Sequence, residues 1–367
     1  MAEPFKNLLG AAQVAWLAER LSGAWPGFPA DDFSARALRG LTELELKARA
    51  RHIADALEAT LPTSPKRAFA VLVAAMESPL EVTEGYGGSV FRYLPMSEFL
   101  ERRGPEDVEA ALAANYELTQ RFSSEFCIRP LLLAQPERVL AVLAGWARDD
   151  NQHVRRLVSE GTRTRLPWGR QLPPFISEPA PVLPLLEMLK DDASEYVRRS
   201  VANNLNDLSK DHPALVKSVA KRWLRGATPE RRRVVEHALR TLLKRGDAEA
   251  LALIGAEAGQ LSAEGTVTPR RARLGERVVF SARVLNEGSA PTHVVVEARV
   301  HFVSRTGTSV KPFRLGRVDL APGESAELRR ALELVHRSTR RLFAGRHVVE
   351  LQVNGVRSAL GSFDLSV

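Results

Sequence analysis

The spacing of the apolar residues changes once along this chain, near residue 262, and that change excludes any fold built from a single kind of layer. Before it, apolar positions recur at intervals of three and four, as in "RAFAVLVAAM" and "PERVLAVLAGWARDD", the spacing that lines one face of a helix. After it, "RVVFSARVLNEGSAPTHVVVEARVHFV" and "GRHVVELQVNGVRSALGSFDLSV" alternate apolar and polar residues, which sends successive side chains to opposite faces of a strand. The 367 residues also exceed the length at which one core usually stops growing. The expected architecture is multidomain: an all-α domain over 1–262 followed by an all-β domain over 266–367.

The helical part repeats itself. "DDNQHVRRLVSEG" and "DASEYVRRSVANN" set Val154-Arg155-Arg156 and Val197-Arg198-Arg199 43 residues apart, with a weaker echo in "PERRRVVEHALRTLL". A period of roughly 40 to 47 residues is that of HEAT and armadillo units, whose stacked helix pairs make a solenoid with an extended binding face. The valine of each "VRR" is expected to pack between layers. Its arginines either pair with carboxylates such as Asp149 and Asp192 in neighbouring repeats, or line up as a basic stripe that includes Arg156 and Arg199. In the last hundred residues about seven short strands, with turns at Asn286-Glu287-Gly288 and Asn354-Gly355, fit an immunoglobulin-like sandwich. Cys127 is the only cysteine, which excludes an intrachain disulfide and any cysteine-based zinc or iron-sulfur site and makes a reducing cytoplasm the expected compartment. The amphipathic N-terminus, with Glu3 in it, does not resemble a secretory signal. No apolar run nears the roughly 20 residues that a spanning helix needs, so no membrane partner is expected.

Charge is distributed unevenly. Residues 266–367 hold 17 Lys and Arg against 9 Asp and Glu, whereas the preceding 265 residues hold 35 of each; the C-terminal part carries the whole net charge of +8. Its most basic segment, "RSTRRLFAGR", contains Arg337, Arg340, Arg341 and Arg346. Such an excess suits a phosphate backbone or another anionic surface. Within the helical part, "SEGTRTRLPWGRQLPPF" (159–175), with Pro179 and Pro181 beyond it, predicts a long irregular loop. It carries Arg163, Arg165 and Arg170 around Trp168. Arginines grip phosphates and an indole stacks on a base; the other reading of Trp168 is a hydrophobic plug between repeats. No nucleophile elbow, P-loop, dinucleotide fingerprint or H-E-x-x-H motif is present, and His153, His212 and His237 are scattered as packing residues are. Neither metal nor cofactor is expected. What remains is carboxylates beside arginines: Arg156 and Glu160 four apart, Asn203 and Asp207 four apart, and Glu125 between Arg121 and Arg129. Spacing alone leaves these open between ordinary helix-surface ion pairs and an active site.

The stretches "FSSEFCIRPLL", "HVRRLVSEGTRTRLPWG" and "EYVRRSVANNLNDLSKDHP" resemble the HEAT-like-repeat DNA alkylation repair glycosylases, the AlkC and AlkD family. The resemblance covers residues 1 to about 260, and the C-terminal sandwich is similar to that of the AlkC subgroup. It implies a monofunctional glycosylase that removes cationic alkylated bases such as 3-methyladenine from double-stranded DNA without a deep base pocket. It also implies that Glu125, Glu160 and Asp207 are the active-site carboxylates, with Arg156 and Trp168 beside them. The chemistry is consistent with such residues. An N3-alkylated purine leaves as a neutral base, so fixed negative charge must stabilise the developing oxocarbenium sugar while a carboxylate aligns and deprotonates water. The expected protein is a monomeric enzyme whose partner is alkylated duplex DNA; a non-catalytic scaffold that binds nucleic acid or protein is the alternative.

Overall fold

The computed structural model describes residues 4–83, 88–257, 259–337 and 340–367; Glu3, and Ser338 and Thr339 of the basic turn, lie outside these ranges. Helices occupy Ala11 to Leu253 and strands Leu261 to Ser366, an all-α part followed by an all-β part. Two compact units are present: Met1–His212 with Ala227–Ala238, and Pro213–Gly226 with Leu239–Val367.

In the first unit the repeat has a physical basis. The helix Gln152–Gly161 starts where the Asn151 side chain accepts the His153 amide at 2.8 Å, capping an otherwise unsatisfied donor. Asp149 Oδ1 accepts the Asn151 amide at 2.8 Å, and 43 residues on, Asp192 Oδ1 accepts the Ser194 amide at 2.8 Å before the helix Glu195–Leu208. The first arginine of each "VRR" folds back on this turn. Arg155 donates to the carbonyls of Asp149 and Asp150 at 2.9 and 2.8 Å, and Arg198 to those of Asp192 and Ala193 at 2.5 and 2.8 Å. Arg155 also reaches Asp192 in the next repeat through two bonds of 2.6 and 3.0 Å. Val154, Leu157 and Val158, and then Val197, Val201 and Leu205, fill the space between layers. For Arg155, then, the pairing with a neighbouring carboxylate is the arrangement found.

The proline-rich stretch is shorter and better ordered than its composition suggests. Pro173 and Pro174 open a helix, Pro173–Ser177, and a 3-10 turn follows at Ala180–Val182. Proline suits the first helical positions because no carbonyl awaits its missing N–H there. The irregular part narrows to 162–172, where Leu166 and Leu172 are buried and Leu172 N donates to the Thr164 carbonyl at 3.3 Å.

In the second unit the strands are β1 (Leu261–Thr268), β2 (Arg271–Arg273), β3 (Arg277–Asn286), β4 (Thr292–Ser304), β5 (Gly307–Leu320), β6 (Ser325–Glu333), β7 (Gly345–Val353) and β8 (Val356–Ser366). They form sheets of order β1-β3-β6 and β2-β8-β7-β4-β5. Alternate residues of β3 (Val278, Phe280, Ala282, Val284) and of β4 (Val294, Val296, Ala298, Val300, Phe302) meet in one core. The turn at Asn286-Glu287-Gly288 therefore joins two sheets and does not close a hairpin. Asn286 is buried and donates to the carbonyls of Ala290 and Leu320 at 2.9 and 3.0 Å, bonds that fix the crossing. Asn354-Gly355 does close a hairpin, between β7 and β8, with φ of 42° and 85°, as a two-residue turn of that type requires. A side chain at Gly355 would also lie 2.9 Å from the Gly246 carbonyl oxygen.

Candidate active site

The helix Gln152–Gly161 puts Arg156 and Glu160 one turn apart on a single face. Arg156 Nη1 donates to Glu125 Oε2 at 2.6 Å and to Ser123 Oγ at 2.7 Å, while its Nη2 lies 3.5 Å from Glu160 Oε1. Its guanidinium also stands 5.2 Å from the centre of the Tyr196 ring. Glu160 accepts from Arg163 Nη1 at 2.6 Å and from Ser200 Oγ at 2.7 Å. Arg163 turns its Nε to Asp207 Oδ2 at 2.8 Å, and Lys210 closes the series on Asp207 Oδ1 at 2.8 Å. The result is a line of alternating charge: Glu125, Arg156, Glu160, Arg163, Asp207, Lys210.

Burial makes this alternation necessary, because an unpaired charge out of water is costly. Glu160 is 4 % exposed and Asp207 1 %. Burial pushes the Glu160 carboxyl up, but Arg156, Arg163 and the Ser200 hydroxyl outweigh it and hold the group below the ordinary carboxylate value. Burial acts on Arg156 in the opposite sense, and Glu125 and Glu160 more than compensate, so its proton is held more tightly than in water. Arg163 is likewise raised against its burial, by Glu160 and Asp207. Arg156, Glu160 and Arg163 are thus each held in the charged form by their neighbours.

A cavity of about 830 Å³ lies against one end of it. Glu125, Arg156, Tyr196, Trp168 and Arg170 line it, together with Lys47, Glu98 and Glu101. Of the three candidate carboxylates, only Glu125 faces this space; Glu160 and Asp207 stand behind it. Trp168 is 68 % exposed, so it is not a plug between repeats, and its φ of 65° is unusual for a bulky residue. Lys47 Nζ donates to its carbonyl at 2.7 Å. Arg170 is exposed, and its carbonyl accepts from Arg129 Nε; Arg129 is buried and also donates to the Gly161 carbonyl at 2.9 Å.

Not every arginine of the loop is available to a ligand. Arg163, expected to reach a phosphate, is 7 % exposed and committed to Glu160 and Asp207. Arg165 makes two bonds of 2.8 and 2.7 Å to Asp211. Arg199 is exposed beside Glu195, Glu230 and Arg233. In the second unit, Arg337, Arg341 and Arg346 are exposed, with Arg346 Nε donating to Ser362 Oγ at 3.1 Å. Arg340 is packed 4.9 Å over Phe302 and 5.6 Å over Phe313. Arg337 and Arg340 share a second cavity, of about 730 Å³, with Lys244, Arg277, Lys311 and Arg330.

Sequence reasoning missed Lys47, Glu98, Glu101, Tyr196, Ser200 and Lys210. Only Lys210 carried a signal, its spacing of three from Asp207. Glu101 is half-buried, and burial with Glu98 pushes its carboxyl up against the pull of Arg170, Lys47 and Arg129. The Cys127 thiol is pushed up to about 12 by burial and donates to Asn115 Oδ1 at 3.1 Å, so it is no nucleophile. No group of three His, Cys, Asp or Glu side chains among the described residues is arranged to hold a metal ion. No helix among them is long and apolar enough to cross a membrane.

Fold and site define an enzyme class: the chain belongs to the DNA alkylation repair enzyme family, in the branch with an Ig-like C-terminal domain. The family profile described as "DNA alkylation repair enzyme" matches residues 115–242, and that described as "Uncharacterised protein YhaZ, C-terminal Ig-like domain" matches 262–367. The uncharacterized protein YhaZ of Bacillus subtilis (strain 168) is 35 % identical over 355 residues, 95 % of this chain and 96 % of that one. The Pseudomonas fluorescens alkylpurine DNA glycosylase AlkC, solved bound to DNA containing an abasic site analog, is 34 % identical with a TM-score of 0.89 and is covered in full, as is this chain.

Proposed function

We propose that this protein is a monofunctional glycosylase that hydrolyses the N-glycosidic bond of cationic alkylated bases, of the 3-methyladenine type, in duplex DNA. The observation that carries the reading is the line of alternating acidic and basic side chains ending at a cavity beside an exposed tryptophan. In the reaction the C1′–N bond breaks, its electron pair leaves with the base, and a cationic base thereby becomes neutral. Water supplies oxygen to C1′ and loses a proton to a carboxylate. Glu125 is the carboxylate open to the cavity, and Glu160 shares Arg156 with it one bond further in; these two are assigned to the sugar and the water. Asp207, deeper still, keeps Arg163 and through it Glu160 in place. Negative charge fixed before the reaction stabilises the oxocarbenium sugar without reorganisation. Ordinary neutral bases lack the leaving-group advantage, which gives selectivity without a fitted base pocket.

DNA binding is assigned to Trp168 and Arg170 in the first unit, with Trp168 entering the distorted duplex, and to the basic residues of the second unit. Arg337, Arg341 and Arg346 meet phosphates there and clamp the duplex. The protein acts as a cytoplasmic monomer. The deciding experiment is to incubate it with alkylated duplex DNA and assay the released bases by chromatography. Release of 3-methyladenine above the uncatalysed background is expected. Its absence would sink the enzyme reading and leave a scaffold.

A further inference from the structure

We propose that Lys47 is a positioning residue for Trp168: by gripping the Trp168 carbonyl it fixes the height and angle at which the exposed indole is offered to DNA. The proposal rests on the reading of Trp168 as the residue that enters the duplex. Lys47 belongs to the helix Leu46–Thr60, 121 residues before its partner, so the contact joins two distant parts of the first unit. The ammonium lies 2.7 Å from the carbonyl oxygen, 5.7 Å from the centre of the indole and 5.9 Å from that of Phe126. It therefore holds the backbone of the turn and lies beside the ring at once.

The base of the turn is fastened from inside. Arg129 donates to the carbonyls of Gly161 and Arg170, and Leu172 N to that of Thr164. The apex is different. Trp168 projects with 68 % of its surface exposed and φ of 65°, a backbone conformation that a bulky residue keeps only when its surroundings impose it. The turn itself sets that conformation, with the Gly169 amide donating to the Leu166 carbonyl at 3.2 Å across Pro167 and Trp168, and Lys47 ties the apex carbonyl to a distant helix. No carboxylate among the described residues lies within ion-pair distance of Lys47 Nζ; Glu101 feels its charge at longer range, and the Trp168 carbonyl is the group it bonds, beside two aromatic rings. A displacement of about 1 Å in a positioning group is enough to slow an enzyme roughly 100-fold, and with the turn still closed by Gly169 on Leu166 a partial loosening of the apex is expected to cost about tenfold.

The test is a double-mutant cycle read by single-turnover release of 3-methyladenine from alkylated duplex DNA. Lys47→Met keeps the stem and should slow release about tenfold with the thermal midpoint unchanged; Lys47→Gln serves if Met disturbs folding. Lys47→Arg, which keeps a cationic donor, should recover most of the rate. Trp168→Ala should be at least as slow as Lys47→Met, and the double variant no slower than Trp168→Ala alone. Lys47 is overturned as a positioning residue if Lys47→Met matches wild type. It is equally overturned if that change slows the Trp168→Ala background by the same factor as wild type, since Lys47 would then touch DNA itself. A Trp168→Ala variant at the wild-type rate removes the reading of Trp168 instead, and with it anything for Lys47 to position.

Discussion

Glu125 and Glu160 share one guanidinium but live in different surroundings, and their substitutions should separate accordingly. Glu125→Gln removes charge at the cavity wall, where partial exposure softens the structural cost. It is expected to lower single-turnover excision about 100- to 1,000-fold, the loss typical of one missing transition-state stabiliser, while fluorescence anisotropy finds duplex affinity little changed. Glu160→Gln strips a buried counter-charge from Arg156 and Arg163, so it should also destabilise the protein by about 3 to 5 kcal/mol. Acid should act through the same residue. The folded-state pKa of Glu160 lies below its ordinary value of 4.5, so its contribution to stability is present above that value and is lost as pH falls through the folded one. Urea midpoints measured from about pH 6 to about pH 3 should fall across this range. The fall should be shallower for Glu160→Gln, which has no proton to take up there.

At the scale of single elements, the turn around Trp168 holds a side chain in the left-handed region, which costs of order 1 to 3 kcal/mol. Trp168→Gly should therefore leave the thermal midpoint unchanged or raised while excision falls; a lowered midpoint would show the indole to be a packing residue. The helices were legible from their spacing, and the 43-residue offset from the paired "VRR" motifs, because both are written in short-range sequence. The Asn354-Gly355 hairpin was legible because its backbone demands those residues. By contrast, Asn286-Glu287-Gly288 has the composition of a hairpin turn yet joins two sheets, since nothing local in β3 and β4 records which strands each will pair with. The site divides in the same way. Arg156 and Glu160 were visible as an i, i+4 pair, whereas Lys47 and Glu101 reach the cavity from helices far upstream and carry no mark of it. Arg163 looked like part of an exposed basic loop, and only the fold shows that Asp207, 44 residues away, claims it.

At the scale of the whole molecule, the second unit extends beyond its sandwich, and this governs how its role can be tested. The Gly246 carbonyl packs on Gly355, the carbonyls of Lys244 and Arg245 accept from Arg299 and Arg357, and that of Glu257 accepts from Asn354. A chain cut after Gly265 would leave these helices without their partners, and its failure to bind DNA would mean little. Arg340 is a poor target too, being packed on two rings. Replacing the exposed Arg337, Arg341 and Arg346 with Ser avoids both problems. Duplex affinity should weaken, and its dependence on salt should flatten by roughly 0.9 log units per log unit of salt for each phosphate that is no longer neutralised. An unchanged slope would make the basic residues a coat for exposed strands and nothing more. The repeat itself has one further consequence. The 43-residue offset that lays Arg156 on Arg199 lays Glu160 on Asn203, whose side-chain oxygen meets His237 Nε2 at 2.9 Å. The chain thus contains its own experimental control. One storey of the helical stack holds an anion, the next a neutral amide in the corresponding place, and both keep the same aspartate-held turn and buried valines. The packing that makes a storey and the charge proposed to act in catalysis are separable, and this chain holds both versions side by side.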